Sequence, residues 1–218
     1  MTDAEGRFRS HLGEGIKCLQ NYDNTKYDFS LRHIWVACVS AFDLYVTELV
    51  SEAGLRLIDR SPPILTQNLR QIQVPLGNVL DVDRLNPAER LLFFRQHIFW
   101  AIQYKSFYRP DKLSEALSYI WLCPGKEKWA RILVGMKSTG RYDNRTEQGI
   151  RDELALIGDR RDLISHAVDI PPGTTQQNPV RREDAERVIE FVGDLVTAID
   201  GETENQLLVT PSRSMENA

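Results

Sequence analysis

The sequence predicts an all-α protein, a helical bundle of six to eight helices. Three observations predict it. Apolar residues recur at three- and four-residue spacing along most of the chain. No stretch alternates apolar and polar residues over a useful strand length. Proline-containing breaks such as Ser61-Pro62-Pro63, Arg109-Pro110 and Pro171-Pro172-Gly173 separate the periodic segments.

The elements follow in order. Residues 3–21 carry Phe8, Leu12, Ile16 and Leu19 at helical spacing, weakened by Gly13 and Gly15, and form an N-terminal helical extension over 1–27. The strongest helix spans 28–60, with Asp28 or Ser30 as its cap. Leu31, Ile34, Trp35, Cys38, Phe42, Tyr45, Val46, Leu49 and Val50 are its buried stripe. Residues 64–85 predict a short helix and then an irregular crossing loop. Asn86-Pro87-Ala88-Glu89 is a helix start, with Asn as cap, Pro first and Glu third. That helix runs to about residue 107, with Leu91, Phe94, Ile98, Ala101 and Ile102 inward. Helices over 111–121, 126–137, 146–168 and 181–200 complete the set. Residues 1–201 form a single domain with its core at about 28–201, and 202–218 reads as a disordered tail.

With 27 basic and 31 acidic side chains the net charge is −4, which excludes a globally basic nucleic-acid coat. Hydrophobic residues make up 42%, enough for a real core. Cys18, Cys38 and Cys123 lie far apart, with no metal or redox spacing, and read as reduced, mostly buried thiols. The first ten residues are polar, and charge interrupts the apolar segments short of the roughly 20 residues a membrane span needs. The chain therefore reads as cytoplasmic and soluble, with no membrane partner.

Phosphate-loop, dinucleotide-fold, zinc-protease and nucleophile-elbow templates are all absent. None of His11, His33, His97 and His166 has a second histidine at ligand spacing, so no metal and no cofactor are expected. The segment that stands out is Gly158-Asp159-Arg160-Arg161-Asp162-Leu163-Ile164-Ser165-His166-Ala167-Val168-Asp169. Ile150, Leu154, Ile157, Ile164 and Val168 form an apolar stripe, and Arg161 falls inside it. A charge there is costly unless paired or facing a wet interface. Asp162 and His166 are four apart on one face, so the carboxylate can orient the imidazole.

This segment resembles the HEPN superfamily, all-α bundles of which many are metal-independent endoribonucleases. Their signature is Arg, four to six residues and then His, often with a polar residue after the Arg. Arg161-Asp162 followed by His166 fits, and Arg160 fits with one residue more. The order of features, from the Trp-containing basic region Lys126–Arg131 to the Pro/Gly loop after Asp169, looks most like the RiboL-PSP branch. Arg90…His97 has a permitted spacing too, but it lacks the polar neighbour and lies in a very apolar helix. His97 is read as structural.

The resemblance implies cleavage of RNA by attack of the ribose 2′-hydroxyl, leaving a 2′,3′-cyclic phosphate. His166 would be the general acid/base, Arg161 the phosphate ligand, Asp162 the group orienting His166, and Arg160 and Asp169 supporting residues. Five positions put Arg161 and His166 roughly 140° apart on an ideal helix. The family's answer is a homodimer with a composite site. A toxin or phage-defence role, with an antitoxin or defence-system partner, follows from the resemblance alone.

For substrate, tRNA or mRNA, residues 126–151 carry seven basic side chains against three acidic ones. Lys126, Lys128, Arg131, Arg141 and Arg145 are the candidate RNA contacts, with Trp129 and Tyr142 for stacking. With Arg160 and Arg161 they would form one positive cleft. Gln103, Tyr104, Lys105, Tyr108 and Arg109 form a second aromatic and basic cluster. The same residues also suit a non-catalytic HEPN module that binds nucleotide or protein, or a purely structural helical adaptor. Arg161 would then sit in a salt-bridge cluster with Asp159 or Asp162.

Overall fold

The computed structural model describes residues 2–208 and is all-α, with no strand among them. Nine α-helices follow one another: α1 Asp3–Thr25, α2 Asp28–Ile58, α3 Gln67–Arg70, α4 Leu76–Val82, α5 Pro87–Ile102, α6 Pro110–Leu117, α7 Lys128–Lys137, α8 Glu147–Ala167 and α9 Arg182–Leu208. A short 3₁₀ turn, Gly125–Glu127, precedes α7. The ninth helix beyond the expected count is α4, a short stretch in the segment read as a crossing loop; all of its side chains stay out of the core.

Helix α2 is the axis of the bundle, with α1, α5, α8 and α9 laid against it. Its whole expected stripe is buried. By length and composition α2 would also suffice to cross a membrane, contrary to the sequence reading, but most of its apolar window is covered by the other helices. Its cap differs from expectation as well. Tyr27 occupies that position without a side-chain bond, and Asp28 lies in the first turn, where its charge suits the helix dipole.

Helix α1 is part of the core rather than an appendage. Ala4, Phe8 and Leu19 are buried, and the Phe8 ring lies 5.8 Å from that of Tyr45, whereas Ile16 faces outward. Local start signals hold where they were clear. Asn86 and Glu89 form a reciprocal capping box on α5; Thr146, where the sequence only began a helix, proves to cap α8 by accepting from the Gly149 N–H at 3.1 Å. Helix α5 stops at Ile102, with His97, Ile98 and Ile102 buried and Ala101 exposed.

The largest correction is at the C-terminal end. Residues 202–208, read as tail, continue α9 as a helix. Their polar side chains are held by tertiary contacts: Trp121 donates to Thr203 at 2.9 Å, Arg131 to Glu202 at 2.9 Å, and the Leu122 N–H to Gln206 at 3.2 Å. The rest of that expected tail lies outside the described residues.

Candidate active site

The C-terminal half of α8 carries the motif, and the helix runs unbroken through it. Ile150, Leu154 and Ile157 of the apolar stripe are buried. Beyond Arg161 the stripe emerges: Ile164 is half-buried and Val168 is 64% exposed. Val168 also ends the helix in the left-handed region, at φ 50°, and Asp169 follows at φ 62°. That conformation crowds the Cβ of a β-branched residue.

Two charged clusters flank this helix end. In the first, Asp162 accepts from the Tyr108 hydroxyl at 3.0 Å, from Arg109 at 2.6 Å and from Arg161 at 3.1 Å. Arg109 reaches Asp159 as well. The Arg161 guanidinium lies 5.2 Å from the Tyr108 ring centre. Tyr108 comes this close because residue 158 is glycine: a Cβ there would sit 2.8 Å from the Tyr108 ring. Burial acts to raise the Asp162 pKa, but the bonds from Arg161, Tyr108 and Arg109 outweigh it and hold the carboxyl below its ordinary range. The segment entering α6 is anchored from α2, where Asp43 accepts the Phe107 N–H; burial raises the Asp43 pKa despite that bond.

In the second cluster Asp169 is fully buried and receives Arg32 at 2.9 Å and Arg160 at 2.7 Å on one oxygen. The Asn178 side chain donates to the other oxygen at 3.2 Å. Arg32 and Arg160 also donate to the backbone carbonyls of Asn178 and Pro179, and Arg160 lies over the Trp35 ring. One carboxylate thus ties α2, α8 and the 169–179 loop together.

His166 is exposed and has no hydrogen bond or ion pair among the described residues. The expected pairing with Asp162 is not formed, because that carboxylate is taken up by three other donors. Arg161 makes one hydrogen bond, to Asp162, and its buried Nε is unpartnered. His97, the histidine of the other Arg–His spacing, is buried and bonded through Nδ1 to the Phe93 carbonyl at 2.9 Å.

The expected RNA-binding set is largely taken up elsewhere. Lys128 is buried and donates to the Ser114 carbonyl at 3.2 Å and to Ser118, and burial lowers its pKa. Arg131 pairs with Glu202 and Glu127, Arg141 with Asp194 and Glu190, and Arg145 with Glu153. Trp129 and Tyr142 are buried, donating to Ser114 and Asp194 respectively, so neither offers a stacking face. Of the five, Lys126 is the one exposed without an ion pair among the described residues. The positive excess counted along 126–151 is largely cancelled in space, and these cations do not share partners with Arg160 or Arg161.

The sequence reading missed Arg32 and Asn178, which carried no local signal, and gave Tyr108 and Arg109 no part in the motif. Their aromatic and basic character was visible, but their contact with α8 was not.

A groove of about 660 Å³ opens beside the motif between the start of α2 and the end of α8, with Phe29, His33, Val36, Ile164, Ser165 and Val168 among its walls. Burial pushes the Cys38 thiol up to about 12, far from reactivity. Among the described residues no three His, Cys, Asp or Glu side chains converge as a metal site. Compared with protein-family models, curated proteins and solved structures, the chain matches none of them.

Proposed function

We propose that this chain is a metal-independent endoribonuclease of the HEPN type, acting as a homodimer. The observation that carries the reading is that a lightly bonded arginine and an exposed histidine stand on one charged helix end. Arg161 keeps guanidinium donors in reserve, and His166 stands free for proton transfer.

In the reaction the ribose 2′-oxygen attacks the adjacent phosphorus while the 2′-proton is taken up by a base. The phosphorus–5′-oxygen bond breaks, and the leaving oxygen receives a proton. The products are a 2′,3′-cyclic phosphate and a 5′-hydroxyl. His166 serves as the proton-transfer group and Arg161 stabilises the charge that builds on phosphorus. Because α8 is unbroken, the two residues of one copy diverge by roughly 140°. A two-fold arrangement that sets Arg161 of one copy near His166 of another meets this geometry. Asp162 takes a changed role in this reading, positioning Arg161 together with Tyr108 and Arg109 rather than orienting His166. Arg160 and Asp169 support the helix end from behind.

The test is RNA cleavage in EDTA by wild type, Arg161→Ala and His166→Ala, with the 2′,3′-cyclic phosphate end identified. Wild type should cleave, and either variant should lose at least about 100-fold. A requirement for added metal, or full activity in either variant, overturns the mechanism.

A non-catalytic module is the second reading. The saturation of Asp162 and the Arg160–Asp169 pair favour it, since both make a closed salt-bridge network. The exposure of His166 speaks against it.

A further inference from the structure

We propose that the groove beside the motif is a subsite for one nucleotide of a single-stranded nucleic acid, with its base on Phe29 and its phosphate toward Lys26. The proposal rests on the nuclease reading and names how that site would hold its substrate.

Three independent features converge there. First, the walls offer aromatic faces to solvent. Phe29 is 69% exposed and Tyr27 is 70% exposed, which is unusual for two large rings two positions apart that line one groove. Phe29 stacks on the exposed His33 ring, with centroids 6.3 Å apart and planes 21° from parallel, so a flat platform is already assembled. Nucleobases stack on such platforms whatever their sequence.

Second, the charge suits a phosphate. Lys26 lines the groove, its exposed Nζ 3.9 Å from Asp23 in a surface pair loose enough to exchange for a phosphate, and Asp28 is the one acidic side chain in the lining. Arg32, which also lines it, shares the single carboxylate of Asp169 with Arg160, and the surplus cation there offsets Asp28.

Third, the groove adjoins the turn of α8 that follows Arg161. Arg161 and Ser165 stand at i and i+4 on α8, hence on one face, and Ser165 lines the groove together with Val168 at the helix end. A strand whose scissile phosphate meets Arg161 would lay a neighbouring nucleotide between α8 and the start of α2. The volume of about 660 Å³ falls within the range of small-molecule sites.

The test separates binding from chemistry. A fluorescein-labelled single-stranded hexadeoxynucleotide, which lacks the 2′-hydroxyl and cannot be cleaved by this route, is titrated by anisotropy against full-length protein. Wild type and His166→Ala should bind alike. Phe29→Ala should weaken binding about tenfold, the scale of one lost base stack, and Lys26→Ala should weaken it and flatten its salt dependence. These side chains are exposed, and circular dichroism checks the fold of each variant.

Wild-type affinity in Phe29→Ala and Tyr27→Ala overturns the subsite, as does failure of wild type to bind. A shift of Phe29→Ala from dimer to monomer in sedimentation, with oligonucleotide binding unchanged, overturns it in favour of an interface between copies. Binding that is sensitive to Phe29 without RNA cleavage in EDTA upholds the subsite while removing the nuclease reading. Cleavage that is indifferent to Phe29, with binding indifferent as well, does the reverse.

Discussion

Arg32 and Asp169 stand 137 positions apart in sequence and meet as a buried ion pair, Nε to Oδ2 at 2.9 Å. Asp169 also carries Arg160, and the Asn178 side chain and N–H close the loop around it. The arrangement fixes where α8 ends relative to the start of α2, which is where the motif and the groove lie.

Removing that carboxylate should therefore be costly. Asp169→Ala leaves two guanidinium groups beside each other without their counter-charge. The expected loss is about 3–5 kcal/mol, and with roughly 2–4 °C per kcal/mol for a chain of this size the melting temperature should fall by about 10 °C. Calorimetry checks it. A fall of only a degree or two would mean that the pair is not held as described.

Gly158→Ala places a methyl group 2.8 Å from the Tyr108 ring, so the ring or the helix must shift. Overpacking of this kind costs about 1–3 kcal/mol. Tyr108→Phe keeps the ring and removes one bond to Asp162, costing about 0.5–1.5 kcal/mol. If Asp162 positions Arg161, Gly158→Ala should also cut RNA cleavage more than Tyr108→Phe does. Equal activity in both variants, each measured well below its melting temperature, would detach Tyr108 from the site.

The three donors around Asp162 make a pH prediction. Its folded pKa lies below the ordinary carboxylate range. A depressed acid adds stability that is fully present above the unfolded pKa, near 3.9, and is lost as pH falls through the folded value. Wild type should therefore shed this contribution only in strong acid. Asp162→Asn should flatten that part of the stability-versus-pH curve and leave the curve above pH 5 parallel to wild type. A difference in slope near neutrality would assign the effect to another group.

Lys128 is buried against Ser114 and Ser118, whereas Lys126 is exposed. Lys128→Met should change the melting temperature but leave oligonucleotide affinity and its salt slope unchanged. Each cation that contacts a phosphate contributes close to one unit of that slope. A slope lowered by Lys128→Met would mean that the side chain leaves its pocket to meet nucleic acid.

Val168 holds a left-handed backbone at φ 50° while its side chain is 64% exposed. Val168→Gly removes the Cβ conflict and little burial, so a gain of about 1 kcal/mol is expected. Thermal unfolding checks it. A loss of stability would show that the valine methyl groups contribute more to the groove wall than their exposure implies.

Much of the scaffold is legible because its causes are local. The capping box at Asn86 and Glu89 and the buried stripe of α2 follow from hydrogen bonding and periodicity within a few residues. The end of α9 was not legible. Its polar residues read as tail because their partners, Trp121, Arg131 and Leu122, come from elsewhere in the chain. The basic stretch 126–151 misled for a related reason. Charge summed along a sequence counts signs, whereas the field at a surface depends on which carboxylates fold against which cations.

The sequence by itself determined the all-α class, the starts of the long helices, and the placing of Arg161, Asp162 and His166 on one helix end. Backbone hydrogen bonding and a 3.6-residue repeat set these within each segment. Tertiary structure alone decided that Asp162 bonds Tyr108, Arg109 and Arg161 rather than His166, that Lys128 is buried, and that Arg32 shares Asp169 with Arg160. Those outcomes are competitions between partners distant in sequence. They are settled by which donors packing brings within hydrogen-bond reach and which groups it removes from water.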